Sequence, residues 1–509
     1  MRKLGRIFFS RYAVCALIIG LEIGLWVFIL FIAAEFFTAL FSLSAIISII
    51  SLLTLINRDV NPEYKLSWAV VILVLPYIGA TFYALFFRRR LTRREIRLLS
   101  KIFESFEMPP ECEENLTALY SASPLAAGKA RALIHDDALC RVYRGTEAEY
   151  FSSGEEMFCD LCKSLEAARK YIYLEFFIID GGFMWDTLLE ILKRKAAEGV
   201  EVRVLYDDIG CMKTLKNKYY KELCKEGIDC RVFGRVTPKV STVHNNRDHR
   251  KIAVIDGRVA YTGGINIADE YINKKQRFGH WKDVGVRVSG GAAYGFAVQF
   301  LSLWAYNSRD TQIKSDLLSE YTQGDDDGGY YIPFGTGPMP IYDSVGKNAF
   351  LNIINQSERF VYITTPYLVI DFDLTEALCC AAERGVDVRI VTPGVADKRV
   401  IKIMTKSSYP YLIKSGIKIY EYKPGFIHAK MLLCDGEYAL VGSINFDYRS
   451  LAHHFEDALW TYKSPIARKA LSDFEKTLTD CELIDERAAR LGPIEWLYRI
   501  SIKIFAPLL

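Results

Sequence analysis

No sign of charge dominates this chain. Its 64 lysines and arginines stand against 61 acidic residues, which leaves +3 over 509 residues. That balance argues against whole-chain binding of a polyanion, and no basic stripe of the nucleic-acid-binding kind is apparent. Cysteine is present but unorganised: the 12 residues do not form the compact framework of a secreted, disulfide-stapled domain. The one C-x-x-C, Cys159 and Cys162 in FCDLCKSLEAARK, reads as two thiols on an amphipathic helix rather than a redox or metal pair. So many unpaired thiols fit a reducing compartment. His and Cys nowhere show a recognisable zinc spacing, so no metal or other cofactor is expected.

What the chain does have is apolar length at its start. Hydrophobic residues make up 51% and aromatics 13%, a level that suits a membrane-anchored enzyme. Residues 12–56 are almost continuously apolar. One helix of that length would reach ~67 Å, about twice a bilayer core, so a break is needed and Glu35 supplies it. The expectation is a span over 12–34, a second over 37–56 and a third over 66–87, where Pro76 is tolerable in a membrane helix. A cleaved signal peptide is not expected, because the apolar run is far too long and recurs. Arg2, Lys3, Arg6 and Arg11 precede the first span, and Arg88, Arg89, Arg90, Arg93, Arg94 and Arg97 follow the third. Positive charge favours the cytoplasmic side, yet three full spans cannot place both clusters there. Either one segment is re-entrant or the larger downstream cluster prevails; both put the soluble part in the cytoplasm. Glu22, inside the first span, is a functional or helix-packing candidate.

From about residue 100 strands and helices alternate. YIYLEFFIID (171–180), a helix over 187–199 ending at Gly199, VEVRVLYDD (200–208) and a strand pair from His249 follow in order. The same order recurs as RFVYITTPYLVID (359–371), a helix over 374–385, VDVRIVTPG (386–394) and a strand pair from His428. Such a duplication predicts two α/β domains, each a mixed sheet with helices on both faces. The domains are expected at 125–318 and 330–490, after a membrane region over 1–98. The acidic, glycine-rich stretch 322–338 reads as a surface linker. The end of the chain, 492–509, is an amphipathic segment suited to a membrane interface or to the protein's own surface.

Each copy carries one motif: HRKIAVIDGRVAYTGGIN from His249 and HAKMLLCDGEYALVGSIN from His428. Residues two apart in a strand share a face, so His249 pairs with Lys251 and His428 with Lys430. Asn266 and Asn445 follow the return strands with amides able to donate hydrogen bonds. If the copies pack about a pseudo-twofold axis, two imidazoles, two cations and two amides surround one point. That set suits a phosphate. Two imidazoles permit a two-step transfer, one attacking phosphorus and the other protonating the leaving alkoxide. Asp283 and Glu456, each about 30 residues beyond the His of its own copy, are the candidates to hold an imidazole in the required tautomer. Asp256 and Asp435 complete the motifs and are counted with the catalytic set, although the Gly after each also fits a turn.

These paired H-x-K-x4-D motifs resemble those of the phospholipase D superfamily. With 57–87, LEFFIIDGG (174–182), 263–288, TTPYLV (364–369) and 442–459, the chain is similar over nearly its whole length to bacterial cardiolipin synthases. The resemblance implies two pseudo-symmetric phospholipase D-like domains behind a multi-pass membrane region. It also implies a reaction in which two phosphatidylglycerols give cardiolipin and glycerol through a phospho-histidine. By that similarity His249 is the nucleophile and His428 the general acid, then base. Lys251, Lys430, Asn266, Asn445 and Ser443 hold the phosphate, while Asp283 and Glu456 orient the histidines. Gly264 stands where Ser443 stands in the second copy, leaving one hydroxyl donor. A hydrolytic phospholipase D would share these residues, and a non-catalytic lipid-binding scaffold would need none of them. No nucleic-acid partner is implied.

Overall fold

The computed structural model describes residues 11–31, 37–87, 92–131, 133–134, 139–236, 246–309, 321–338, 345–489, 492–504 and 506. The chain divides into two units, one formed by 1–90, 236–245 and 500–509, the other by 91–235 and 246–499.

In the first unit α1 is Arg11–Phe31 and α2 is Phe37–Ile56. The stretch expected as a third span is two helices, α3 (Pro62–Val74) and α4 (Pro76–Phe86). Pro76 cannot donate the backbone hydrogen bond that a continuing helix needs, and Leu75 before it leaves helical geometry at φ −127° and ψ 75°. Among the described residues no helix is long and apolar enough to cross a membrane, which corrects the expectation of two or three spans. The first expected span and its break at Glu35 run into residues 32–36, outside the described residues, as do Arg2, Lys3, Arg6 and Arg88 to Arg90. Glu22 is buried in the packing of α1.

The second unit holds both copies of the repeat. In the first copy β1 is Thr146–Phe151, β2 Tyr171–Phe176, β3 Glu201–Asp207, β4 Asp229–Phe233, β5 Lys251–Ile255, β6 Val259–Gly263, β7 His280–Lys282 and β8 Gly285–Gly290. All except β7 join one sheet in the order β1-β8-β6-β5-β2-β3-β4. In the second copy β9 is Tyr330–Thr336, β10 Phe360–Thr364, β11 Leu368–Val369, β12 Asp387–Pro393, β13 Lys418–Tyr422, β14 Gly425–Ile427, β15 Met431–Cys434, β16 Tyr438–Gly442, β17 Phe446–Asp447, β18 Glu456–Tyr462 and β19 Cys481–Leu483. Its sheet runs β9-β18-β16-β15-β10-β12-β13-β19. Strand for strand the orders match, with β19 as the one addition. In both sheets three neighbouring strands are parallel and the rest antiparallel, as alternating strand and helix followed by hairpins predicts.

One helix, α5 (Gly291–Ser308), is buried on every side over residues 291–305. Gly295 lies against Pro333 of β9, so the helix of one copy meets the sheet of the other and a single core runs through both. A helix apolar all round belongs in such a position. The strand β9 also corrects the sequence reading of 322–338 as a surface linker. YYIPFGT is fully buried and pairs along β18. Its proline is tolerated because β9 is an edge strand. The acidic part is held as well: Asp327 accepts hydrogen bonds from the backbone N–H of Ala148 and Gly329 and from the Tyr331 hydroxyl.

The segment leading into the first histidine is fixed by a buried ion pair. Arg247 donates from Nη2 to Asp207 Oδ1 at 2.7 Å, with both side chains almost fully buried. Removing the guanidinium leaves a buried carboxylate without its partner, a change that costs about 3–5 kcal/mol in such settings. Arg247→Ala is therefore expected to lower the denaturation midpoint of the catalytic unit by a comparable margin. A thermal or denaturant melt checks this; an unchanged midpoint would show that Asp207 needs no counter-charge.

Candidate active site

Both histidines sit just before an inner strand of their own sheet, His249 before β5 and His428 before β15. Each backbone N–H reaches the other copy: His249 N–H donates to the Phe455 carbonyl at 2.8 Å, and His428 N–H to the Lys282 carbonyl at 2.7 Å. Phe455 and Lys282 immediately precede Glu456 and Asp283. The carboxylates consequently cross over. His249 Nδ1 lies 2.8 Å from Glu456 Oε2, and His428 Nδ1 lies 2.7 Å from Asp283 Oδ2. Sequence proximity ties each carboxylate to its own histidine; the structure exchanges them. Asp457, next to Glu456, strengthens the joint by accepting the Lys251 backbone N–H at 3.0 Å and the Thr262 hydroxyl.

The charges follow from burial. Desolvation lowers the His249 pKa to about 3 and that of His428 to about 4, against the pull of their carboxylates. Burial, the strongest single influence, would raise Glu456 and Asp283, but the facing histidine's charge and hydrogen bond together with the neighbouring lysine and other donors outweigh it, and both are held below the usual carboxylate range. At neutral pH the pairs are thus neutral imidazole against carboxylate. An ionised carboxylate only accepts hydrogen bonds, so Nδ1 of each ring carries the proton and Nε2 keeps a free lone pair. Lys251 and Lys430, each donating to the carbonyl of the histidine two residues back, are lowered by burial to about 8 and about 7. The Lys251 charge also bears on His428 and Lys430, so the two motifs share one pocket.

The remaining expected residues fall into distinct places. Ser443 Oγ donates to Glu456 Oε2 at 2.5 Å and accepts the Asp457 N–H, bracing the carboxylate that holds His249. Gly264, its counterpart, has no room for a side chain: a Cβ there would lie 2.1 Å from Asp283 Oδ1. A short carboxylate against glycine in one copy thus replaces a long carboxylate against serine in the other. Asn266 Nδ2 donates to the Tyr271 hydroxyl at 2.7 Å and its Oδ1 accepts the Ile178 N–H. Asn445 Nδ2 donates to Ser450 Oγ at 3.1 Å. Each amide nitrogen has a second hydrogen available for a ligand. Asp256 and Asp435 stand apart from the imidazoles. They occupy left-handed turn positions at φ +51° and +54°, and their carboxylates accept the backbone N–H groups of 169–171 and 358–360. They anchor turns, as the glycine after each one suggests.

Several participants went unread in the sequence. His454 sits two residues before Glu456, its ring 5.4 Å from that of His249, with Nδ1 3.6 Å from Glu456 Oε1. Trp281 occupies the matching place two residues before Asp283, 5.4 Å from the His428 ring. His428 is further enclosed by Tyr271 and Phe426, while Phe177 meets His249 edge-on. Registering the HWKD of 280–283 on the HHFE of 453–456 would have found both positions. Donor atoms of His249, His454 and Glu456 lie within 4.8 Å of one another, a set that fits a divalent metal by atom type. The neighbouring Lys251 cation opposes such an ion, and the pocket as a whole is suited to an anion. Cys159 is exposed and Cys162 partly so, on the expected helix, Gly154–Ala167.

Two outcomes follow from this geometry. Gly264→Ser drives its side chain into Asp283 and should reduce turnover towards the level of Asp283→Ala, whereas Ser443→Gly, which only removes a brace, should be milder; steady-state kinetics of the three variants decide. Lysines are charged below their pKa, so anion capture by the free protein weakens as pH rises through about 7 to 8. The pH profile of kcat/KM should fall on that alkaline limb, and a profile flat to pH 9 would contradict it.

The comparisons with known proteins agree with this architecture. A family model described as "Cardiolipin synthase, PLD-like domain" matches residues 161–278 and 350–478, one copy each. A second, "Phospholipase_D-nuclease N-terminal", matches 45–87. A cardiolipin synthase of Geobacillus sp. (strain WCH70) is 33% identical, covering 91% of this chain and 92% of its own. One of Geobacillus kaustophilus is 32% identical over 98% and 99%. An uncharacterised protein of Streptococcus mutans is 39% identical over 90% and 99%. The crystal structure of a phosphatidylserine synthase from Haemophilus influenzae superposes with a TM-score of 0.55 at 15% identity, covering 71% of this chain and 95% of that one, a likeness of fold. With its two matched catalytic copies and full-length relatives, this chain belongs to the cardiolipin synthase family of phosphatidyltransferases.

Proposed function

We propose that the protein joins two phosphatidylglycerols into cardiolipin, releasing glycerol, through a phosphatidyl group carried on His249. The observation that carries this reading is the crossed pair of imidazole–carboxylate bonds, His249 with Glu456 and His428 with Asp283. It gives two imidazoles from two halves, each with Nε2 free, beside two buried lysines. His249 Nε2 attacks phosphorus and the bond to the headgroup glycerol breaks. The phosphodiester's negative charge, added beside Asp283, favours the imidazolium form of His428, which gives its proton to the departing alkoxide. The neutral His428 then takes the proton from a hydroxyl of the second phosphatidylglycerol as that oxygen displaces His249 Nε2 from phosphorus. Lys251, Lys430 and the second amide hydrogens of Asn266 and Asn445 hold the phosphate oxygens, and Ser443 and Asp457 keep the machinery in place. The aromatic enclosure of His428 by Tyr271, Trp281 and Phe426 supports placing the alcohol on that side. Transfer must outrun hydrolysis in ~55 M water, which acceptor positioning makes feasible. The burial of both histidines and both lysines supports a site that limits water.

Residues 125–318 and 330–490 are read as the catalytic domains and 1–98 as the part that keeps them at the cell membrane, facing the cytoplasm. Large apolar side chains along 17–85, among them Leu17, Leu21, Ile23, Ile46, Ile50 and Leu53, are more than half exposed. So large an apolar surface fits a lipid environment. The C-terminal helix Pro493–Lys503 exposes Trp496, Leu497 and Tyr498, which supports a place for 492–509 at the lipid interface.

Purified protein incubated with labelled phosphatidylglycerol vesicles should yield cardiolipin and glycerol, resolved by mass. Phosphatidic acid without cardiolipin would replace the synthase reading with a hydrolytic one. His249→Ala should fall to background, which a scaffold role would not require, and an acid-quenched adduct should map to His249 and not to His428.

A further inference from the structure

The chain turns back on itself at Leu75 and Pro76. Residue pairs equally displaced from that point touch across α3 and α4. Gly79 lies against the backbone of Val71 and Ile72, so close that a Cβ would sit 2.1 Å from the Val71 carbonyl oxygen. The rings of Trp68 and Tyr83 are 5.9 Å apart, and those of Tyr64 and Phe87 5.5 Å. The Tyr64 hydroxyl also reaches the Phe87 carbonyl at 3.4 Å. In one continuous helix residues 64 and 87 would be separated by ~35 Å. The two helices are therefore the arms of a closed antiparallel hairpin, which packs on α2 through Leu55 and through the Thr54 to Tyr83 hydroxyl contact at 3.4 Å.

The dimensions and chemistry of this hairpin are those of a segment that enters lipid and returns. Its arms hold 13 and 11 residues, or ~20 and ~17 Å, against a hydrocarbon core of ~30 Å. The tip is apolar and outward-facing, with Leu73 60% and Val74 69% exposed. Its backbone is nearly satisfied: the Leu75 N–H donates to Val71, the Leu75 carbonyl accepts from Gly79, and Pro76 has no N–H to leave unpaired. That is the condition for non-helical backbone at membrane depth. Within the arms charge is confined to Glu63 and Lys65, near the open end, with Arg58 and Asp59 just before them.

We infer that residues 62–87 form a re-entrant hairpin, inserted into the hydrocarbon of the bilayer from the same side as the catalytic domains and leaving on that side. This rests on the membrane reading given above and adds the topology.

The full-length protein provides its own reference, since Cys159, Cys224 and Cys380 are exposed in the catalytic unit. A membrane-impermeant maleimide is applied to intact cells and to inverted vesicles carrying Asp59→Cys or Leu75→Cys, and labelled cysteines are identified by peptide mass. Cys at 59 should be labelled only in the preparation that labels Cys159, Cys224 and Cys380. Cys at 75 should be labelled in neither; Val74→Cys serves if that variant does not accumulate. Labelling of position 59 from the opposite side, or of position 75 from either side, overturns the hairpin. Alkaline carbonate extraction separates the two claims: release of the protein rejects membrane insertion altogether, whereas retained protein with position 59 on the far side rejects only the re-entrant path.

Discussion

Everything in the catalytic unit depends on an exchange of carboxylates between its two halves. Glu456 grew from the second copy but holds His249 of the first; Asp283 grew from the first but holds His428 of the second. Neither half on its own contains an imidazole in a defined tautomer. The exchange is enforced in the backbone, because the N–H of each histidine is bonded to the carbonyl just before the other half's carboxylate. Asp457 repeats the tie with the Lys251 N–H and the Thr262 hydroxyl. The joint and the candidate site share these atoms, so misalignment of the halves disrupts both imidazole–carboxylate pairs at once. Buried hydrogen-bonded networks of this kind are costly when incomplete and position their members closely when satisfied.

The two halves are not equivalent, and their differences are local and physical. A serine braces a glutamate in one, while a glycine makes room for an aspartate in the other. His454 beside His249 is matched by Trp281 beside His428. A duplicated fold thus presents two chemically distinct sides to one pocket. Burial keeps both imidazoles neutral, while the charges and hydrogen bonds facing Glu456 and Asp283 keep both carboxylates ionised in spite of it.

Much of this was legible from residues alone, because the repeat supplies its own alignment. The order of strands and helices and the two H-x-K motifs recur in each copy, and each copy also supplies a carboxylate about 30 residues beyond its histidine. The exchange between copies was not legible, since proximity in sequence favours the histidine of the same copy and only the packing of two sheets reveals the other. The strand at 330–336 was hidden by the acidic, glycine-rich residues before it and by Pro333, an edge-strand feature that mimics a loop. His454 and Trp281 were missed because their identities differ between copies. The apolar run over 66–87 read as one helix by length and hydropathy; its reversal depends on Pro76 together with a glycine at 79 that lets the arms meet.

The most direct test of the exchange is nitrogen NMR of the imidazoles. With seven histidines in the chain, 15N-histidine labelling gives few enough signals to assign by substitution. Glu456→Gln should perturb the Nδ1–H signal of His249 and leave that of His428 in place, and Asp283→Asn should do the reverse. If Glu456→Gln instead moved the His428 signal and Asp283→Asn that of His249, each half would be holding its own histidine and the account would be wrong.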